Sequence, residues 1–215
     1  MPGTVFVTVG TTKFDALIQA VDTIEIADAL VKQGCTALVI QKGAGRYQVQ
    51  TLVPLGRQHH QHSNGLQVQV FEFAPSLADY MKQADLIISH AGSGSIFEAL
   101  RLGKPLVAVP NAILMDNHQA ELAEHLAYLK HIIAARPDTL VHTLQHLSID
   151  DLKPYESGDA KGIISHIDTL VAKKPSSKVP FIAIACLIAA LFVAMLYASV
   201  RVLIPGRSEK YSSNV

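Results

Sequence analysis

The chain has 215 residues, and its 18 Lys+Arg and 18 Asp+Glu sum to a formal net charge of zero. That zero is split: residues 1–172 hold 12 Lys+Arg against 17 Asp+Glu, and residues 173–215 hold 6 against 1, so two regions with different work are expected. The balance excludes a nucleic-acid binder with a general basic surface, and a composition of 49% hydrophobic and 17% charged residues excludes a disordered chain.

Taken in chain order, Thr4–Val9 reads as a strand closed by Gly10, followed by one helix over about Phe14–Gln33 that stops at Gly34. Thr36–Ile40 is a second strand, ending at Lys42-Gly43-Ala44-Gly45. In Arg46–Gly65, the apolar Val49, Leu52, Val53 and Leu55 suggest a short helix, and His59 to Gly65 a polar loop. Leu66–Phe73 alternates like a strand. A short helix runs to Gln83, with Ser76 as its N-cap. Leu86–Ser89 is a buried strand leading through a glycine-rich turn, Ala91-Gly92-Ser93-Gly94, into a helix that ends near Leu102-Gly103. Leu106–Val109 is a strand, Asn117–Leu129 an amphipathic helix, and Ile132–Ala134 a last short strand. The pattern weakens after Pro137, with one more helix near Lys161–Ala172.

Short strands alternating with helices predict an α/β domain over 1–172, Rossmann-like, with a mostly parallel sheet covered on both faces. Residues 173–178 then form a basic linker. Of the 26 residues from Val179 to Ile204, only Pro180, Ser199 and Arg201 are not hydrophobic. A helix of that length spans a hydrocarbon core of roughly 30 Å, so 179–204 is expected to be a transmembrane helix, with 205–215 a short tail. Met1 to Val7 shows no basic and long apolar leader. A tail-anchored protein with a cytosolic main domain is the expectation. Cys35 and Cys186 are the two cysteines, too few for a disulfide framework or a cysteine zinc site. Cys35 reads as a small buried hydrophobe.

Ligands of such folds sit at the carboxyl ends of strands, which directs attention to three loops. In Gly10-Thr11-Thr12, glycine permits a tight turn, and the hydroxyls and backbone N–H groups can hold an oxyanion; ordinary turn and cap chemistry accounts for the same residues. In His90-Ala91-Gly92-Ser93-Gly94-Ser95, small residues let a ligand approach the backbone, and the helix that follows favours a diphosphate. Glu98, one turn in, is placed to bind a vicinal diol such as a ribose, or stands as a solvated glutamate near a helix start. Gly92-Ser93-Gly94-Ser95-Ile96-Phe97 has the first two glycines of a dinucleotide fingerprint, but Phe97 fills the third position, which disfavours a nicotinamide enzyme. In the third loop, Asp116 or Asn117 can cap the next helix, and His118 and Gln119 reach the same crevice. His90 and His118 are the two histidines singled out as catalytic candidates. The trio His59, His60 and His62 reads as a solvated loop, and no metal site is expected.

Together, Thr4 to Thr12, Ile88 to Ser95 with Glu98, and Gly103-Lys104-Pro105-Leu106 through Asp116-Asn117-His118-Gln119 resemble the donor-binding half of a GT-B nucleotide-sugar glycosyltransferase. The pattern is of the family 28 C-terminal-domain type and is similar to the bacterial murein N-acetylglucosaminyltransferase. The nearer resemblance is to the eukaryotic catalytic subunits of the dolichol-linked UDP-N-acetylglucosamine transferase. The resemblance covers about residues 4–160. It implies transfer of N-acetylglucosamine from UDP-N-acetylglucosamine to N-acetylglucosaminyl-diphospho-dolichol, without metal or cofactor. Glu98 is then the ribose ligand. Gly92, Ser93, Gly94 and Ser95 line the nucleotide and diphosphate with Gly10, Thr11 and Thr12 facing them, and His90, Asn117, His118 and Gln119 stand near the sugar. A single such domain implies a membrane-anchored, acceptor-binding partner subunit at the endoplasmic reticulum, which leaves the catalytic base unassigned. The family's subunit is usually soluble, so an anchor at 179–204 is a departure. Two other readings are a polysaccharide-type transferase half with another lipid acceptor, and a non-catalytic tail-anchored adaptor.

Overall fold

In the computed structural model, which describes residues 3–111, 118–156, 158, 161–172 and 189–191, a seven-stranded sheet organises the main unit. Its strands are β1 (Thr4–Thr8), β2 (Ala37–Gln41), β3 (His59–Gln61), β4 (Gln67–Phe71), β5 (Leu86–His90), β6 (Leu106–Val109) and β7 (Ile133–Ala134). They lie in the order β3-β4-β2-β1-β5-β6-β7. Every pairing is parallel except β3 with β4. The helices of this unit are α1 (Asp15–Val21), α2 (Ile24–Lys32), α3 (Ala78–Gln83), α4 (Ser93–Arg101), α5 (His118–Tyr128) and α6 (Leu140–Gln145).

The alternation of side chains along each strand builds a separate core on each face. Val5 and Val7 of β1 join Leu38, Ile40, Ile88 and Val107 in a cluster with the buried residues of α1, α2 and α6. Phe6 points the other way, into a cluster with Ile87, Leu106, Ala108 and residues of α3, α4 and α5. β5 and β6 are buried along their whole length, as strands covered on both faces must be. A fully buried side chain the size of Phe6 stabilises the fold by about 2–3 kcal/mol. Cys35 is buried, its thiol donates to the Ala37 carbonyl at 3.1 Å, and burial pushes its pKa up to about 11. It is a core residue, as expected.

Four local expectations are corrected. The single helix over Phe14–Gln33 is two helices, broken at Asp22-Thr23. Asp22 is buried, and its carboxylate accepts the N–H groups of Gln50, Thr51 and Leu52 and the Tyr47 hydroxyl. Thr23 restarts the helix by accepting the Ile26 N–H, a side-chain cap. Secondly, Val49, Leu52 and Val53 are buried without forming a helix, because Asp22 rather than an i→i+4 ladder satisfies that backbone. Thirdly, part of the expected polar loop, His59–Gln61, is an antiparallel edge strand on β4; cross-strand pairing supplies what its polar sequence does not advertise. Fourthly, Ser76 accepts the Ala78 N–H, but the N-cap position of α3 is Leu77. Beyond Pro137, a short 3-10 turn and α6 pack back on α1 and α2.

The chain divides into two compact units, 1–157 and 158–215. In the second, α7 (Lys161–Ala172) matches the expected helix and exposes Ile163, Ile164 and Ile167. Among the described residues no helix is long and apolar enough to cross a membrane. The expected span 179–204 lies outside them apart from 189–191, which are helical.

Candidate functional site

The strand order reverses between β1 and β5, so the carboxyl ends of these two neighbours open a crevice where ligands of doubly wound sheets bind. Gly10, His90 and the N-terminus of α4 meet there. Asn111, just past β6, ties the third loop to the first: its side-chain amide donates to the Lys13 carbonyl at 3.1 Å, and its N–H donates to Gln119 Oε1 at 3.3 Å. Asn117 lies outside the described residues, as does the side chain of His118, whose backbone begins α5.

The floor of the crevice is built by Gln41, the last residue of β2, which is buried. Its Oε1 accepts the Thr8 hydroxyl at 2.6 Å, the Gly10 N–H at 3.0 Å and the Val9 N–H at 3.2 Å. Its Nε2 donates to the carbonyls of Gly10 and Glu72, both at 2.8 Å. One amide thus holds both polar groups of the Gly10 turn. Gly10 has φ +61°, a left-handed conformation that glycine adopts without a Cβ penalty. Gly43 has φ +63°, and a Cβ there stands 2.6 Å from Val9 Cγ2 and 2.7 Å from the Thr12 carbonyl oxygen. Thr12 turns inward, with both its hydroxyl and its N–H donating to the Val9 carbonyl at 2.7 and 3.2 Å. Thr11 remains exposed.

His90 fills the space between the two loops. It is 7% exposed. A Cβ on Gly10 meets its Cε1 at 3.0 Å, and one on Gly92 meets its Nε2 at 2.4 Å. Both glycines therefore make room for the imidazole. Burial holds His90 below the usual histidine range, with the Thr8 carbonyl opposing the shift, so the ring is neutral near pH 7.

Gly92 is the N-cap position of α4 and offers no side-chain cap. Ser93, Gly94 and Ser95 already belong to the helix, so the turn itself is shorter than the glycine spacing suggests. Their N–H groups, with the positive end of the helix dipole, suit an anion. A Cβ on Gly94 meets nothing within 4 Å. Glu98 is exposed, on the next turn of the same helix. The structure thus gathers Gly10, Thr12, His90 and Gly92 at the switch point, with Ser93, Gly94, Ser95 and Glu98 on the adjoining helix and Gln119 at the third loop. Gln41, Gly43 and Asn111 are site-building residues that sequence reasoning did not single out. The polar Gln41 ending the apolar strand Leu38–Ile40 was a usable signal. Of the three histidines, His62 is tied down, a ring nitrogen pairing with the Leu52 carbonyl at 2.9 Å, and His59 is exposed.

A doubly wound, mostly parallel sheet with an uncapped helix start at its switch point defines a Rossmann-like α/β domain. The crystal structure of Acinetobacter baumannii MurG shares this fold, with TM-score 0.50 and 22% identity over 71% of this chain and 43% of that one. The chain belongs to the glycosyltransferase family 28 C-terminal domain family, whose model matches residues 4–173. It is 36% identical to the "UDP-N-acetylglucosamine transferase subunit ALG13" of Candida glabrata, over 71% of this chain and 90% of that protein. Against the protein of the same name in Mus musculus it is 44% identical over 56% of this chain. The match spans only 10% of that mouse relative and 61% of the Yarrowia lipolytica one. An NMR solution structure of ALG13 aligns with TM-score 0.56 and 28% identity, covering 79% of this chain and 96% of that one.

Proposed function

We propose that this chain is the donor-binding, catalytic subunit of a UDP-N-acetylglucosamine transferase that acts on N-acetylglucosaminyl-diphospho-dolichol. Family membership sets the reaction class. The observation that carries the site is the uncapped start of α4, where Gly94 opens onto free space. In this reading the first-turn N–H groups of Ser93, Gly94 and Ser95 hold the diphosphate. As the glycosidic bond to UDP breaks, they and the helix dipole stabilise the charge gathering on the leaving oxygen, without reorganisation. Glu98 accepts two hydrogen bonds from the ribose diol. Thr11 faces the nucleotide from the first loop, and Asn117, His118 and Gln119 serve the sugar. The buried, neutral His90 supports the crevice. The acceptor and the base that activates it belong to a membrane-anchored partner subunit. The expected span 179–204, whose charge-free part 179–200 is flanked by Lys173, Lys174 and Lys178 and by Arg201, Arg207 and Lys210, reads as a tail anchor in the endoplasmic reticulum membrane, and it raises the local concentration of the domain near partner and acceptor.

The test is transfer by the full chain co-purified with its membrane partner, supplied with dolichol-linked and undecaprenyl-linked acceptors. Transfer to the dolichol-linked sugar is expected. Preference for the undecaprenyl-linked sugar returns the polysaccharide-type reading. Absence of UDP-N-acetylglucosamine binding, alone and with the partner, returns the adaptor. Glu98→Ala should raise the donor KM at least about tenfold, the worth of a single charge-assisted hydrogen bond, with unchanged thermal unfolding; an unchanged donor KM removes Glu98 from the site. Deleting residues 175–215 should release the chain from membranes that lack the partner.

A further inference from the structure

At the amino end of β6, a cleft of about 430 Å³ lies where α4 gives way to Lys104-Pro105. Arg101, Lys104, His131 and Lys153 line it, and no carboxylate does. Among the described residues, Arg101, Lys104 and Lys153 have no ion-pair partner. Asp150 and Asp151 are near in sequence, but both are exposed and Asp151 accepts the Ser148 hydroxyl. The cations gather in a unit that is acidic as a whole, with 17 Asp+Glu against 12 Lys+Arg over residues 1–172.

The cleft is a built feature. The Lys153 N–H donates to the Lys130 carbonyl at 2.8 Å, and His131 Nδ1 pairs with the Lys153 carbonyl at 3.1 Å. Tyr155 forms an apolar wall, its ring edge-on to His131 at 5.4 Å and tilted on Phe97 at 5.8 Å. A cationic rim over an apolar wall suits a phosphate with aliphatic substituents. A second observation narrows the source of that phosphate. Lys153 to Tyr155 form the wall from which the chain leaves this unit, and the apolar run starts at Val179. The 22 residues from 157 to 178 reach at most about 75 Å, less with α7 helical. A membrane-inserted tail on a tether of that length holds the domain as a whole near a bilayer surface.

We propose that the cleft seats the phosphate-bearing headgroup of an anionic membrane lipid, so that the domain is held to the bilayer by its own surface as well as by its tail. The inference rests on the tail-anchor reading above. It gives the basic face of an acidic unit a partner of opposite charge.

The test uses the full chain reconstituted in phosphatidylcholine nanodiscs with or without about 30% phosphatidylserine, an anionic content that gives the surface a strong negative potential. Acylation rates of individual lysines are read by mass spectrometry. Lys104 and Lys153 should slow about fivefold in the anionic discs and recover at about 0.5 M salt, while the exposed Lys13, at the opposite, carboxyl end of the sheet, keeps its rate. In the R101Q/K104Q variant, and more weakly in K104Q alone, Lys153 should lose its dependence on lipid composition. Rates independent of lipid, or an equal slowing at all three lysines, overturn the proposal. So does slowing that needs the partner subunit but not anionic lipid, which assigns the cleft to an acidic face of that partner. Equal protection by soluble glycerophosphoserine in neutral discs overturns it in favour of a free anion. Alkaline extraction judges the tail separately: if the chain is released, the anchor reading fails, and the same labelling with free phosphatidylserine vesicles decides the cleft.

Discussion

Gly92 and Gly94 lie two residues apart and meet different surroundings. A Cβ on Gly92 runs into the His90 ring at 2.4 Å, whereas one on Gly94 meets nothing within 4 Å. Gly92 belongs with Gly10, Gly43 and Gln41 to a packed floor, where internal contacts account for each small residue. Gly94 belongs with Ser93, Ser95 and Glu98 to an open helix start, where nothing inside the chain requires a glycine. A glycine explained by its neighbours reports on the fold, and one facing empty space at a helix N-terminus reports on what comes to occupy that space.

Substitutions can break this contrast. The largest effect is expected from Gln41→Leu, which leaves the Thr8 hydroxyl and the Gly10 carbonyl without the side chain that pairs with them, while the Gly10 and Val9 N–H groups keep Thr8 Oγ1 and the Gln41 carbonyl, and the Glu72 carbonyl keeps the Gly43 N–H. A loss of about 3 kcal/mol is expected from urea unfolding, and the donor site should fail with it. Gly92→Ala should cost about 2 kcal/mol through overpacking, and in a His90→Ala background the same substitution should cost little. If Gly92→Ala is as stable as the parent, the imidazole is not what excludes a side chain there.

Gly94→Ala sharpens the contrast because its two readouts move in opposite directions. Alanine in the first turn should stabilise the chain by about 0.5 kcal/mol, while donor affinity measured by calorimetry falls about tenfold as the methyl enters the space reserved for ligand. Equal affinity in parent and variant removes Gly94 from the donor site.

The smallest effect is the pH response of His90. Its folded pKa lies below its ordinary value of 6.5, so the unfolded chain binds the proton more readily. The stability linked to His90 is complete above about pH 6.5 and declines as pH falls towards the folded pKa. The urea midpoint should therefore drop between neutral and mildly acidic pH, and His90→Gln should flatten that drop.

Much of the fold was legible along the chain because strands buried on both faces are short apolar runs. Leu86–His90 and Leu106–Val109 emerged within one residue of their observed bounds. The three loops could be located for the same reason, since each follows such a run. The break in the first helix was not legible: Asp22 reads as an ordinary helical position until Tyr47, Gln50, Thr51 and Leu52 arrive to be held by it. The His59–Gln61 edge strand was hidden likewise, because its polar residues form a strand only when β4 is beside them.

The alternation of elements, the split of charge between main domain and tail, and the order of motifs that marks the family can all be read along the chain. Each of these is a local pattern or a sum over residues. Which glycines are filled from within and which remain open, the anchoring of the Gly10 turn by Gln41, and the sharing of one cleft by three cations emerge on folding. Those depend on contacts between residues tens of positions apart, such as the 31 that separate Gln41 from Gly10. No periodicity encodes such a contact, because it exists only once the sheet has brought β1 and β2 side by side.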